Sequence, residues 1–134
     1  MRPLYNNLKI VLEAAGFNVA PYGENTFDDG SRSVVIEILE TNVIEPGFNI
    51  FESTFNVSLI NDAQWEENCA LINDAIHSFI PMGERIYEEE MTIADNSEMM
   101  EILELPAITS LTTEVDPDTG EEIQTSTFQI KYSY

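Results

Sequence analysis

Positive charge is what this chain lacks most. Its 134 residues carry five Lys and Arg against 25 Asp and Glu, a formal net charge of −20. The five bases (Arg2, Lys9, Arg32, Arg85 and Lys131) are scattered, whereas nucleic acid is held by clustered cations that displace counterions from phosphates. Specific nucleic-acid binding is not expected, and adhesion to anionic membranes is excluded for the same reason. Cysteine is nearly absent: Cys69 is the only one, so no intrachain disulfide can form and the fold cannot depend on one. The six glycines never fall into G-x-G-x-x-G or a P-loop spacing, which leaves a nucleotide cofactor without support. No window approaches the ~20 consecutive apolar residues of a membrane span. The opening "MRPLYNNLKIVLEAAGF" is broken by polar residues every few positions, unlike the apolar run of a signal peptide, so synthesis in the cytoplasm is expected.

What is present is enough for a core. With 43% hydrophobic and 10% aromatic residues, a chain of this length can bury roughly 68% of its unfolded surface as one domain, residues 1–134. Pro3 suits a first helical turn, and Leu4, Leu8, Val11, Leu12 and Ala15 then share one face. Gly16 is the expected left-handed stop, with Phe17 folding back on Leu12. The polar "PYGENTFDDGSR" (21–32) reads as a loop. "SVVIEILE" and "FNIFESTFNVSLI" read as strands, the second because Phe51, Phe55, Val57 and Leu59 alternate with polar residues. The Pro46-Gly47 turn signal in "TNVIEPGFN" between them makes an antiparallel hairpin.

Next, "NDAQWEENCALINDAIHSFI" predicts a helix capped by Asn61 or Asp62, with Trp65, Cys69, Ile72, Ile76 and Phe79 as its apolar stripe. Residues 85–93 are read as a strand. Asp95 and Glu98 form a capping-box-like start to a short helix through Glu104, closed by Pro106. Two last strands, "AITSLTTEV" and "IQTSTFQIKYSY", flank the turn "DPDTGE". The expected fold is α+β, a mostly antiparallel sheet with helices packed on one face and a long β-hairpin, in the order α-β-β-α-β-α-β-β.

Catalytic chemistry finds no residue set. His77, the only histidine, falls off the apolar stripe, while Cys69 falls on it. No nucleophile, base and oxyanion donors come together. An EF-hand loop begun at Asp116 would put Glu121 at the sixth position and Thr127 at the twelfth, where Gly and a bidentate Glu are needed. Glu88-Glu89-Glu90 could attract a hard cation, but strand alternation leaves only Glu88 and Glu90 on one side. No catalytic, metal or cofactor residues are assigned.

The unusual feature is "GERIYEEEMTIADNSEMMEILELP" (83–106), with eight acids and a single base. A short helix placing Glu98, Glu101 and Glu104 on one side would extend the face of Glu88 and Glu90. Carboxylates ~6 Å apart repel by about 0.7 kcal/mol even in water-like dielectric, which one chain tolerates. Such a surface suits a wall past which DNA slides, or a surface that imitates DNA. Val43, Ile44 and Phe48 beside the hairpin turn are candidate interface residues, because exposed apolar groups at a projecting tip promote association.

In layout the chain resembles the tail terminator (tail completion) proteins of long-tailed bacteriophages. The resemblance runs over nearly all 134 residues: a first helix closing at "AAGF", the long hairpin "SVVIEILETNVIEPGFNIFESTFNVSLI", the helix "DAQWEENCALINDAIHSFI" and a last strand "STFQIKYSY". It implies a non-enzymatic virion protein at the head-proximal end of the tail. Six copies would form a ring that stops growth of the tail tube, offers a surface to the head connector and passes the genome through its channel. The implied partners are further copies of the chain, the tail tube protein and the connector. The alternative, carried by size and charge, is an acidic DNA-mimic inhibitor of a nuclease or restriction enzyme. A mimic spreads acids at phosphate-like spacing, whereas almost a third of them here crowd into 83–106.

Overall fold

A computed structural model of the chain describes residues 2–24, 27, 32–45, 47, 50–60, 64–77 and 101–133. It begins with helix α1 (Arg2–Ala14). Leu4, Leu8 and Leu12 recur every fourth residue and are fully buried with Tyr5 beside them, as a 3.6-residue period requires of one face. The helix stops where the sequence says it should. Gly16 adopts φ +96°, its N–H donates to Glu13 O and the Phe17 N–H donates to Leu12 O, at 3.0 and 3.1 Å. That pair of bonds is the Schellman closure, and buried Phe17 turns the chain back onto the core.

A short strand, β1 (Asn18–Val19), follows and pairs in parallel with the start of β2 (Ser33–Glu45). Two residues are too few to show a period, so sequence reasoning assigns no strand there. β2 and β3 (Ile50–Ile60) form the expected antiparallel hairpin, with Ile36 opposite Val57 and Ile38 opposite Phe55. The expected connection, 41–49, is shorter than its composition implied. Thr41 to Glu45 continue β2, because cross-strand pairing with β3 extends the ladder to Glu45 opposite Ile50.

Helix α2 spans Trp65–Ile76, with Gln64 as its N-cap and no side-chain capping bond. The proposed caps Asn61 and Asp62, and Phe79 of the stripe, lie outside the described residues. The expected strand at 85–93 lies outside them as well. The short helix ending at Glu104 is overturned over its last residues. β4 runs from Glu101 to Val115 and pairs antiparallel with β5 (Glu122–Ser133). Helix propensity is a weak prior beside a long ladder of cross-strand bonds. Pro106, read as a helix terminator, sits inside β4 at the ladder irregularity between Glu104 and Ala107. That is permissible because β4 is at the edge of the described sheet.

Among the described residues the order is α-β-β-β-α-β-β, a mixed five-stranded sheet ordered β1-β2-β3-β5-β4 with two helices. Burial alternates along β3: Ser53, Phe55, Val57 and Leu59 are buried and their neighbours half-buried. Register lines Phe55 up with Phe128 and Phe51 with Tyr132, and the Phe55 and Phe128 rings stack at 5.4 Å. These residues, Val34 and Ile36 of β2, and Ile72, Ala75 and Ile76 of α2 join the α1 leucines in one cluster. Each fully buried large apolar side chain contributes ~1.5–3 kcal/mol. No described β4 side chain belongs to that cluster.

Candidate functional site

The far half of the β2–β3 hairpin is built from a ladder of polar and apolar rungs. On the helix-facing side, Ser53 Oγ lies 2.8 Å from both Thr41 Oγ1 and Tyr132 Oη. This chain of hydroxyls ties β2 to β3 and β5 across three strands. One rung further out Val43 stands opposite Phe51, which stands opposite Tyr132. The Phe51 and Tyr132 rings meet at 5.9 Å. Val43 is 55% exposed and Ile44 40% exposed, and neither belongs to the core cluster. Phe48, the third candidate interface residue, lies outside the described residues.

The candidate acids divide. Glu88, Glu90 and Glu98 lie outside the described residues. Glu101 and Glu104 are brought together on β4, at the rungs of Ser133 and Lys131, rather than on a helix. The acidic helical face expected through Glu104 is therefore replaced at these two positions by a strand. An irregularity between Ile102 and Glu104 separates their rungs.

The sheet face away from the core is polar. Ser58 bonds Thr125 at 2.9 Å and Thr127 donates to Asn56 at 2.7 Å. These groups line a shallow depression of about 350 Å³, bordered by Phe27, Glu37 and Glu114. Those four side chains bond in pairs, while the chain's single cysteine lies on α2 and its single histidine caps that helix. The C-capping residue, His77, is exposed, and its ring Nδ1–H donates to Asn73 O at 2.7 Å. The Cys69 thiol is half-buried against Ser126, and burial raises it above its ordinary pKa of 9.0 despite that hydrogen bond. A raised thiol is a poor nucleophile at neutral pH.

The turn at 116–121 is held by its own backbone. Gly120 N–H donates to Asp116 O, Asp116 N–H donates to Glu121 O, and Asp116 Oδ1 accepts from Asp118 N–H, each at 2.8 Å. Gly120 takes the left-handed conformation, φ +74°, which the tight turn needs. Among the described residues, no group of three His, Cys, Asp or Glu could hold a metal ion, and no helix is long and apolar enough to cross a membrane.

Sequence reasoning missed a second apolar feature. Among the described residues seven large apolar side chains are exposed, and six of them lie on β2 and β4: Leu39, Val43, Ile44, Ile108, Leu111 and Val115. The available signal was "AITSLTT" (107–113), seven residues without a charge in a chain of −20. Comparison with protein-family models and with curated proteins finds no match to this chain.

Proposed function

We propose that this chain is a structural ring subunit of the tail terminator kind, capping a bacteriophage tail tube beneath the head connector. The observation that carries the reading is the long hairpin ending in exposed Val43 and Ile44, on a chain otherwise saturated with negative charge. The apolar hairpin end provides adhesion to neighbouring protein. The acids provide a surface that repels phosphate, so a genome can pass without sticking. Glu101 and Glu104, together with Glu88, Glu90 and Glu98, are the acids assigned to the channel. The ring's partners are the tail tube protein and the head connector, and its place is the head-proximal end of the tail.

Imaging the purified protein by electron microscopy, alone and mixed with polymerised tail tubes, tests this directly. Rings with an open centre, seated on tube ends, are the expected result. Duplex DNA should not bind at ~0.15 M salt, where the Debye length is about 8 Å. A compact particle without a channel that inhibits a nuclease would move the function to DNA mimicry instead.

A further inference from the structure

Among the described residues, the two flanks of the sheet hold most of the exposed large apolar side chains, and the acids are spaced differently along them. On one flank β1 covers β2 only at Ser33 and Val34, so among the described residues no strand lies beside the outer edge of β2 from Ile36 onward. That stretch carries exposed Leu39, Val43 and Ile44 together with Glu37, Glu40 and Glu45. On the other flank β4 is the outermost of the described strands. Its first half is protected as edge strands usually are, by Pro106, acids and ladder irregularities. Its second half is not. From Ser110 to Val115 the register with β5 is regular, residues 107–113 bear no charge, and Ile108, Leu111 and Val115 are 48 to 63% exposed.

We infer that the outer edge of β4 between Ile108 and Val115 docks on the outer edge of β2 in a second copy of this chain, continuing the sheet from subunit to subunit. The inference deepens the ring reading above and rests on it. Charge selects the pairing. Apposing two β2 edges would set three carboxylates against three, whereas β4 between Ile108 and Val115 sets one, Glu114, against the three, and like charges facing each other across strands are destabilising. Direction agrees. β2 runs antiparallel to β3, β3 to β5, and β5 to β4, so β4 runs opposite to β2. A neighbouring copy placed in the same orientation therefore presents β2 antiparallel to β4, the more frequent arrangement in sheets. Two different surfaces on one chain make a head-to-tail contact, the kind that closes into a ring when the rotation per subunit allows.

The test uses two full-length variants, Leu111→Lys to block β4 and Val43→Lys to block β2, each checked by circular dichroism and melting. Both side chains are about half exposed, so both variants should fold; Val115→Lys and Ile44→Lys replace either one that does not. Native mass spectrometry reads the assembly. The expected result is that the unmodified chain forms closed rings, that each variant alone is monomeric, and that an equimolar mixture yields dimers and nothing larger. One intact β2 edge then meets one intact β4 edge, leaving both outer ends blocked. If Val43→Lys alone dimerises while Leu111→Lys does not, β4 pairs with itself and the inference is wrong. Rings from both variants would place the interface elsewhere, overturning the inference while leaving the ring reading intact. An unmodified chain that stays monomeric at every concentration overturns both, with another part of the chain or another protein taking the edges.

Discussion

Ser53 is the place to test whether the hairpin is held as described. Its hydroxyl is buried between Thr41 Oγ1 and Tyr132 Oη, 2.8 Å from each. Ser53→Ala deletes the middle of this chain and removes a hydrogen bond from the fully buried Tyr132 hydroxyl. Depriving a buried polar group of a partner costs ~1–3 kcal/mol, whereas an ordinary buried bond contributes ~0.5–1.5 kcal/mol. Ser53→Ala should therefore cost about 2 kcal/mol. Tyr132→Phe should cost about 1 kcal/mol, because Ser53 keeps Thr41. The double variant leaves two apolar groups facing each other and should cost less than the sum, with a coupling of about 1 kcal/mol. Urea unfolding of the four proteins, followed by circular dichroism, measures this; the melting temperature of Ser53→Ala should fall by roughly 5–10 °C for a chain of this size. Additive effects, or a Ser53→Ala cost below about 0.5 kcal/mol, would refute the hydroxyl chain. With it would go the rigid support under Val43.

Gly16→Ala should lower stability by about 1–2 kcal/mol in a thermal melt, because a side chain at φ +96° is strained and its Cβ would stand 3.3 Å from the Arg32 guanidinium. Cys69 should react with iodoacetamide more slowly in the folded protein than in urea at pH 8, since its pKa is raised by burial. The folded state holds that proton more tightly, so this contribution is intact below pH ~9 and is lost as pH rises through the folded value; equal alkylation rates would contradict the placement. Val43→Ser combined with Ile44→Ser should leave circular dichroism unchanged and melting only slightly lower, because both residues are already largely exposed, yet abolish ring formation. A large fall in melting with intact assembly would return both residues to the core.

The stretches with a strong local rule were legible from the sequence. α1 could be read because the four-residue recurrence of leucine and the Gly16 stop are local, and the structure forms the same closure from the same residues. The hairpin could be read because β3 alternates residue by residue. The early part of β4 could not. "EILELP" contains good helix formers following a capping-box pattern, and only pairing with β5, a contact distant in sequence, makes it a strand. Cover is also tertiary information. Leu111 and Phe128 both look like apolar strand residues, yet only Phe128 lies under the helices. The acids of 83–106 were conspicuous in composition, but composition does not give a surface its shape. The structure moves Glu101 and Glu104 from a helix face to strand rungs.

The most direct test of a ring-forming subunit is the mass of the assembled particle. Native mass spectrometry of the purified protein over a wide concentration range should show one discrete species. For six copies of 15.1 kDa that species lies near 91 kDa, and it should not grow further with concentration, because a closed ring has no free ends. A particle of 15.1 kDa at every concentration, or a ladder of open polymers with no preferred size, would contradict the account.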